Sequence, residues 1–341
     1  MTHCAQAETS AEAVRYEDHL DSAALARRPA LAAFARRLGG TTLLELPQEP
    51  GCARIVAKCE WENPSGTVKD RVAFAMLYRL LSRRADAPRV LEYSGGTLAV
   101  SLAGLCRALD LPLTVVVSSG TSAEALAQLE RDGAGVELVA KEKGFYAVME
   151  RAFALSQAHP DWAFLYQHKN PANLWIHRCT TGREVVAQHA RLFPGGRIDA
   201  WIASIGTGGS LIGAYDAIRA AHPGARLYGV TPAELPYASP LEPNGLPKFA
   251  GSGGLGCGRR QPFVEARDAD VTSHFTYTFE DSLRELRRLT SVTGLRIGSS
   301  AAANLLAARE VARRVGPGGC VATIFPSAAT PDEWRQAQAL S

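Results

Sequence analysis

The hydrophobic and polar positions of this chain follow two alternating patterns. Short runs of β-branched and aliphatic residues recur at 54–58, 89–93, 113–117, 136–139, 200–205, 226–230 and 320–324. Between them lie longer stretches with apolar residues three and four apart, as in Val68, Val72, Ala75, Met76 and Leu80. Continuous apolar runs predict strands buried on both faces, and the three-four spacing predicts amphipathic helices. Helices are expected over 68–81, 98–108, 122–132, 146–158, 211–221 and 301–315, with 23–38 the clearest helix of an N-terminal extension. This alternation predicts an α/β fold of mainly parallel twisted sheets covered by helices. The stretch 232–262 breaks the pattern. It is rich in Pro and Gly and long for a passive connection, so it is expected to be an active-site loop.

The run Asn63-Pro64-Ser65-Gly66-Thr67-Val68-Lys69-Asp70-Arg71 reads as a turn that hands directly into a helix. Lys69 then stands near a positive helix end beside Arg71, where an ammonium pKa is lowered. A lysine so placed can become a neutral amine and condense with a carbonyl. The ordinary reading is a solvated lysine in a first helical turn. A second feature, Gly206-Thr207-Gly208-Gly209-Ser210, follows an apolar run and opens a helical stretch. Such a loop points backbone N–H groups and a helix dipole at one place, which suits a phosphate. A dinucleotide fingerprint is the rival, with Glu234 near the end of the next strand, but Leu211 occupies its third glycine position.

These segments, with Gln167, Asn170-Pro171-Ala172-Asn173 and Ile176-His177-Arg178-Cys179-Thr180-Thr181-Gly182-Arg183-Glu184 further on, closely resemble the cysteine synthase and cystathionine β-synthase family. Members of that family are fold type II pyridoxal-phosphate (PLP) enzymes. The matches run in order to about Pro326. The resemblance implies that Lys69 carries PLP and that Gly206, Thr207, Gly208, Gly209 and Ser210 cradle its phosphate. It also implies that Gln167 helps bind the substrate carboxylate, and that His177 and Thr180-Thr181-Gly182 are scaffold between domains. The turn Gly298-Ser299-Ser300 resembles the family's turn whose serine meets the pyridine nitrogen; the aligned residue is Ser300, with Ser299 the alternative. Such a hydroxyl partner leaves the ring a weaker electron sink, which suits loss of a β-substituent.

At one place the chain departs from the family pattern. The substrate loop, Thr-Ser-Gly-Asn-Thr-Gly in the family, reads Ser94-Gly95-Gly96-Thr97-Leu98-Ala99 here. A hydroxyl and helix N-terminal N–H groups survive, but Thr97 replaces an asparagine that contacts cofactor and substrate. This favours a relative with an altered donor, acceptor or outcome. The resemblance thus implies β-replacement or β-elimination on an O-activated serine or a cysteine through an α-aminoacrylate. Alternatives are a serine/threonine dehydratase and a PLP-fold subunit without catalysis. The expected partners are a small amino acid and a small nucleophile, in a homodimer. The resemblance further implies a larger domain of residues 1–61 and 171–341, and a smaller mobile one of 62–170 carrying Lys69 and the substrate loop.

Composition narrows the field without changing it. The chain has 341 residues, 46% hydrophobic and 21% charged, enough for two domains or one large α/β unit. A net charge of +3 gives no case for nucleic acid, and no apolar run approaches a membrane span of about 20 residues. The polar start, Met1 to Ser10, lacks a signal-peptide layout. Seven scattered cysteines without a Cys-x-x-Cys pair argue against disulfides and zinc, and for a reducing, cytoplasmic setting.

Overall fold

Strands that are buried on both faces need helices on both faces, and the chain supplies them twice over. The computed structural model describes residues 20, 25–84, 88–235, 237–238, 256 and 259–340. Its ten strands are β1 Leu43–Glu45, β2 Arg54–Cys59, β3 Val90–Ser94, β4 Leu113–Ser118, β5 Gly135–Val139, β6 Ala163–Phe164, β7 Ala200–Ser204, β8 Arg226–Pro232, β9 Val271–Tyr277 and β10 Cys320–Phe325. They form a six-stranded sheet, β1-β2-β10-β7-β8-β9, and a four-stranded sheet, β5-β4-β3-β6. Every pairing is parallel except β1 with β2. The four-stranded sheet is drawn from residues 90–164, and the six-stranded sheet from residues on either side of it.

Central strands β3, β7 and β10 are buried at every residue, as their mainly apolar runs predict, with Glu92 the buried charged-type exception in β3. The edge strand β5 is instead largely exposed, with Val136 and Leu138 facing solvent. The helices are α1 Pro29–Ala35, α2 Lys69–Arg83, α3 Thr97–Ala108, α4 Ala123–Arg131, α5 Gly144–Ala158, α6 Pro171–His177, α7 Arg183–Leu192, α8 Gly209–Ala221, α9 Pro262–Glu265, α10 Phe279–Thr293, α11 Ser299–Val315 and α12 Pro331–Ala339. The core falls into four clusters. One holds residues of α10 and α11 with β2, β7 and β10, and another holds residues of α7 and α8 with β7 and β10. A third joins α2, α3 and α6 to β3 and β4, and the fourth sets α5 against β3 and β4. Helix α11 is alanine-rich along its buried side, which brings its backbone close to the sheet.

One expectation changes and one is left largely outside the described residues. The N-terminal helix expected over 23–38 is confined, among the described residues, to Pro29–Ala35 and a short turn before it. Most of the loop expected over 232–262 lies outside the described residues. Five buried cysteines are free thiols, while Cys4 and Cys257 lie outside the described residues. Burial pushes Cys59, Cys106 and Cys320 up to about 12, so these thiols are inert small apolar groups.

A π-helical turn, Arg178–Gly182, joins α6 to α7. Thr180 donates its hydroxyl to the Ile176 carbonyl at 2.6 Å, and Gly182 lies where a Cβ would come 2.5 Å from the Ala214 carbonyl oxygen. Gly213 meets the Leu174 carbonyl equally closely from the other side. Two glycines thus let the α6 segment press onto α8, which carries the glycine loop at its start.

Candidate active site

Lys69 is the first residue of α2, and its position is fixed by the loop before it. The Val68 N–H donates to the Pro326 carbonyl at 2.9 Å, and the Lys69 N–H donates to the Thr67 hydroxyl at 3.0 Å. Asp70 closes the loop by accepting from Ser65, whose hydroxyl lies 3.0 Å from that of Ser101 on α3. The lysine loop is thereby tied to the helix that begins with Thr97.

Burial pushes Lys69 down to about 8. Arg71 has no part in this, contrary to expectation, because its guanidinium turns away into a buried cluster. Glu60 accepts from Arg71 Nε and Nη2 at 2.7 and 2.8 Å, and Glu184 accepts from Nη1 and Nη2 at 2.7 and 2.9 Å. Lys58 adds an ion pair to Glu184 at 2.7 Å. Two cations meet two carboxylates, so the cluster is neutral and anchors α2 to β2, to the short turn Glu60–Glu62 and to α7.

The glycine loop leaves the carboxyl end of β7, at the middle of the six-stranded sheet, where ligands of α/β sheets bind. Gly208 is left-handed at φ +85°, and a Cβ there would come 2.5 Å from Val264 of α9. A Cβ on Gly209 would come 2.0 Å from the Asn173 side-chain oxygen. Thr207 accepts the Gly209 N–H at 3.2 Å and the Asn173 amide at 2.9 Å, which leaves its own hydroxyl hydrogen free to donate. The Gly209 N–H is thus spent inside the loop. Glu234, the acid of the rival dinucleotide reading, accepts the Phe279 N–H at 2.8 Å and so serves the start of α10.

Lys69, Thr97, Gly206, Thr207 and Ser210 line one cavity, together with Thr67, Val68, His177, Ser204, Pro326 and Ser327. Residues more than a hundred positions apart converge there, and among the described residues Lys69 is its one lysine. His177, expected to be scaffold, is both: its Nδ1 pairs with the Thr181 hydroxyl at 2.9 Å while the ring borders the cavity. Burial and the charges of Arg71 and Lys69 hold it well below the usual histidine range, hence neutral. Ser204, Pro326 and Ser327 had no sequence signal beyond their place at strand ends. Asn173, inside the recognised Asn-Pro-Ala-Asn run, is the side chain that links the glycine loop to Gln167, whose carbonyl it also reaches at 3.0 Å.

The remaining candidates sit outside that lining. Ser94 is buried, and its hydroxyl accepts the N–H groups of Gly96 at 3.0 Å and Ala99 at 3.2 Å, so two expected free donors are occupied. Gly95 is exposed. Gln167 is buried behind the loop, its amide donating to the Tyr93 carbonyl at 2.9 Å and its N–H to Glu92 at 3.1 Å. Ser300 is the buried second residue of α11. The neighbouring Ser299 hydroxyl is buried without a hydrogen-bond partner among the described residues, while the Ser299 N–H donates to Glu333 at 3.1 Å.

Such a site defines a class before any relative is considered: a desolvated lysine facing an anion cradle, as a covalent carbonyl cofactor bearing a phosphate would need. Comparison with known proteins agrees. Residues 35–327 match the family model of the pyridoxal-phosphate dependent enzymes. The chain is 29% identical over 296 residues to a cysteine synthase of Staphylococcus aureus, covering 85% of this chain and 91% of that protein. It is 30% identical over 305 residues to cysteine synthase 1 of Emericella nidulans, covering 86% and 80%. Among solved structures, the O-acetylserine dependent cystathionine β-synthase of Helicobacter pylori superposes with a TM-score of 0.78 at 26% identity, covering 89% and 96%. The chain belongs to the pyridoxal-phosphate dependent enzymes, with the fold type II architecture, and its cofactor is PLP. The residues present fit that group: a cradle kept open by glycines, a free Thr207 hydroxyl hydrogen, an unpartnered Ser299 hydroxyl and one desolvated lysine.

Proposed function

We propose that this enzyme replaces the β-substituent of an O-activated serine, or of cysteine, with a small nucleophile, in the manner of cysteine synthases. The observation that carries the reading is the convergence of Lys69 and the Gly206–Ser210 loop on one cavity, supported by the cysteine synthase relatives.

When bound, PLP supplies the electron sink that lets an amino acid lose its Cα proton. Lys69 Nζ would hold the cofactor, then take the Cα proton as general base, its depressed pKa keeping a useful fraction neutral near pH 8. The bond from Cβ to its oxygen or sulfur would break, the electron pair leaving with that heteroatom; a nucleophile would then add at Cβ, and Lys69 Nζ would return the proton to Cα. Where no nucleophile adds at Cβ and the product is released as the free enamine, water hydrolyses it to pyruvate and ammonia. Gly206, Thr207, Gly208 and Ser210 would bind the phosphate through N–H and hydroxyl donors, with Gly209 allowing the loop's close approach to Asn173. The Ser299–Ser300 turn would meet the pyridine nitrogen. The Ser94–Thr97 loop, backed by Gln167, would seat the substrate carboxylate.

Two domains, residues 1–61 with 171–341 and residues 62–170, would close over the site and exclude water. A homodimer is also proposed, which light scattering would test. No helix among the described residues is long and apolar enough to cross a membrane.

The deciding experiment incubates PLP-loaded enzyme with a panel of β-substituted alanines, with and without sulfide, and identifies products. A new β-substituted amino acid is the expected outcome. Release of pyruvate from serine, or of 2-oxobutyrate from threonine, without a replacement product would establish a dehydratase instead, and inertness to the whole panel would favour a non-catalytic subunit.

A further inference from the structure

The start of α3 has part of its donor set already spent. Ser94 has already taken the Gly96 and Ala99 N–H groups. An anion seated there is left with fewer donors than an ordinary helix N-terminus offers.

The loop after β4 comes up beside this position. β3 and β4 are adjacent parallel strands with Ser94 level with Val117, so the loops that follow them leave the same sheet edge side by side. In the second loop, Thr121 donates its N–H to the Ser118 carbonyl at 2.9 Å, which fixes the turn. Its methyl group lies 3.7 Å from where a side chain on Gly96 would begin, and Gly96, at φ +126°, is in a conformation that disfavours one. Thr121 Oγ1 is buried and has no hydrogen-bond partner among the described residues. A buried hydroxyl without a partner is a group waiting for one.

We infer that Thr121 is a substrate-binding residue: its hydroxyl donates to the carboxylate of the amino acid seated on the Ser94–Thr97 loop, replacing donors that Ser94 consumes. The inference rests on the reading of that loop as the carboxylate site. It implies that the loop after β4, which carries no recognised motif, sets affinity for the amino acid without touching the cofactor.

Thr121→Val tests it, because valine keeps the shape and removes only the oxygen; Thr121→Ser keeps the hydroxyl. Equilibrium binding of glycine to the PLP-loaded enzyme, followed by cofactor absorbance, reads carboxylate seating without any β-substituent to lose. Thr121→Val is expected to weaken glycine about tenfold and to raise KM for O-acetylserine equally, the worth of one hydrogen bond to a charged group. Its kcat and PLP content should stay within twofold, and Thr121→Ser should bind as the parent does. Should valine disturb the packing against Gly96, Thr121→Ala makes the same comparison. A tenfold loss with glycine upholds the inference even if no β-substituted alanine reacts, a result that would sink only the proposed function. Equal glycine affinity in parent and Thr121→Val overturns it, whether or not the variant is more stable, and so does equal weakening by valine and serine.

Discussion

Arg71 and Glu184 meet as a parallel two-pronged pair, Nη1 to Oε1 at 2.7 Å and Nη2 to Oε2 at 2.9 Å, with both side chains out of water. The pair joins the lysine helix α2 to α7, and so fixes Lys69 relative to the segment that carries Asn173 and His177. Neither side chain lines the cavity, yet both set where its lysine stands.

Glu184→Gln should therefore destabilise strongly, because it leaves Arg71 with one carboxylate and Lys58 without its ion pair. Breaking a buried pair typically costs about 3–5 kcal/mol. Burial alone would raise the Glu184 carboxyl, but the Arg71 charge prevails and holds it at about 2 against an ordinary 4.5. Its contribution is thus complete above about 4.5 and is lost as pH falls toward about 2. Denaturant unfolding of parent and variant should differ most at pH 7 and converge as pH falls from about 4.5 toward about 2. A difference below about 1 kcal/mol at pH 7 would show that the cluster contributes little.

The Lys69 amine should make cofactor capture depend on pH. With a pKa of about 8, roughly a tenth is neutral at pH 7, hundreds of times more than for an ordinary lysine. Covalent capture of PLP by apoprotein should speed up with pH and level off near 8. Borohydride reduction and peptide mapping should place the pyridoxyl group on Lys69, and Lys69→Ala should remove it. The unfolded chain keeps this proton up to about 10.5, so apoprotein stability should rise with pH between about 8 and 10.5. A flat capture profile from pH 6 to 9 would contradict the burial of the amine.

Gly208→Val should weaken PLP retention and lower stability together. A side chain at this position of the cradle would obstruct close approach of the backbone to the phosphate. In the structure it would strike Val264 at 2.5 Å, in a left-handed backbone that valine resists. The cost is expected to be about 2–4 kcal/mol, read as a lower Tm of the apoprotein as well as a weaker PLP Kd. An unchanged Tm with PLP held as tightly as by the parent would rule the geometry out.

How much was legible beforehand follows from the range of each signal. Strands β3, β4, β7 and β10 announced themselves because burial on both faces favours a mainly apolar run. The strand β9 did not, since an edge strand alternates, and Val271–Tyr277 mixes Ser, His and Thr with its apolar residues. Lys69 and the glycine loop were legible because each is a contiguous motif. The cavity's far wall was not: Ser204, Pro326 and Ser327 are ordinary residues placed by sheet order, since β10 lies between β2 and β7. Arg71 misled because sequence adjacency to Lys69 says nothing of side-chain direction, which Glu60 and Glu184 decide from 11 and 113 residues away.

Thr97, the position at which the resemblance implies a departure from the family's substrate loop, is on the cavity wall. It opens α3, and its carbonyl accepts the Ser101 hydroxyl at 3.3 Å, which is itself 3.0 Å from Ser65 in the lysine loop. A change of its side chain should therefore alter what the cavity recognises while leaving the loop's backbone in place. Thr97→Asn extends the side chain and adds an amide that can both donate and accept, where threonine offers a shorter hydroxyl. PLP binding should stay nearly intact, because Lys69 and the glycine loop hold the cofactor from other sides. Activity with the native donor should fall and activity with O-acetylserine should rise, each by about tenfold, or about 1.4 kcal/mol of barrier. Steady-state kinetics with both donors, alongside the PLP content and Tm of the variant, would decide it. Unchanged rates for both donors would mean that Thr97 acts only as the first residue of α3 and that donor choice is set elsewhere on the cavity wall.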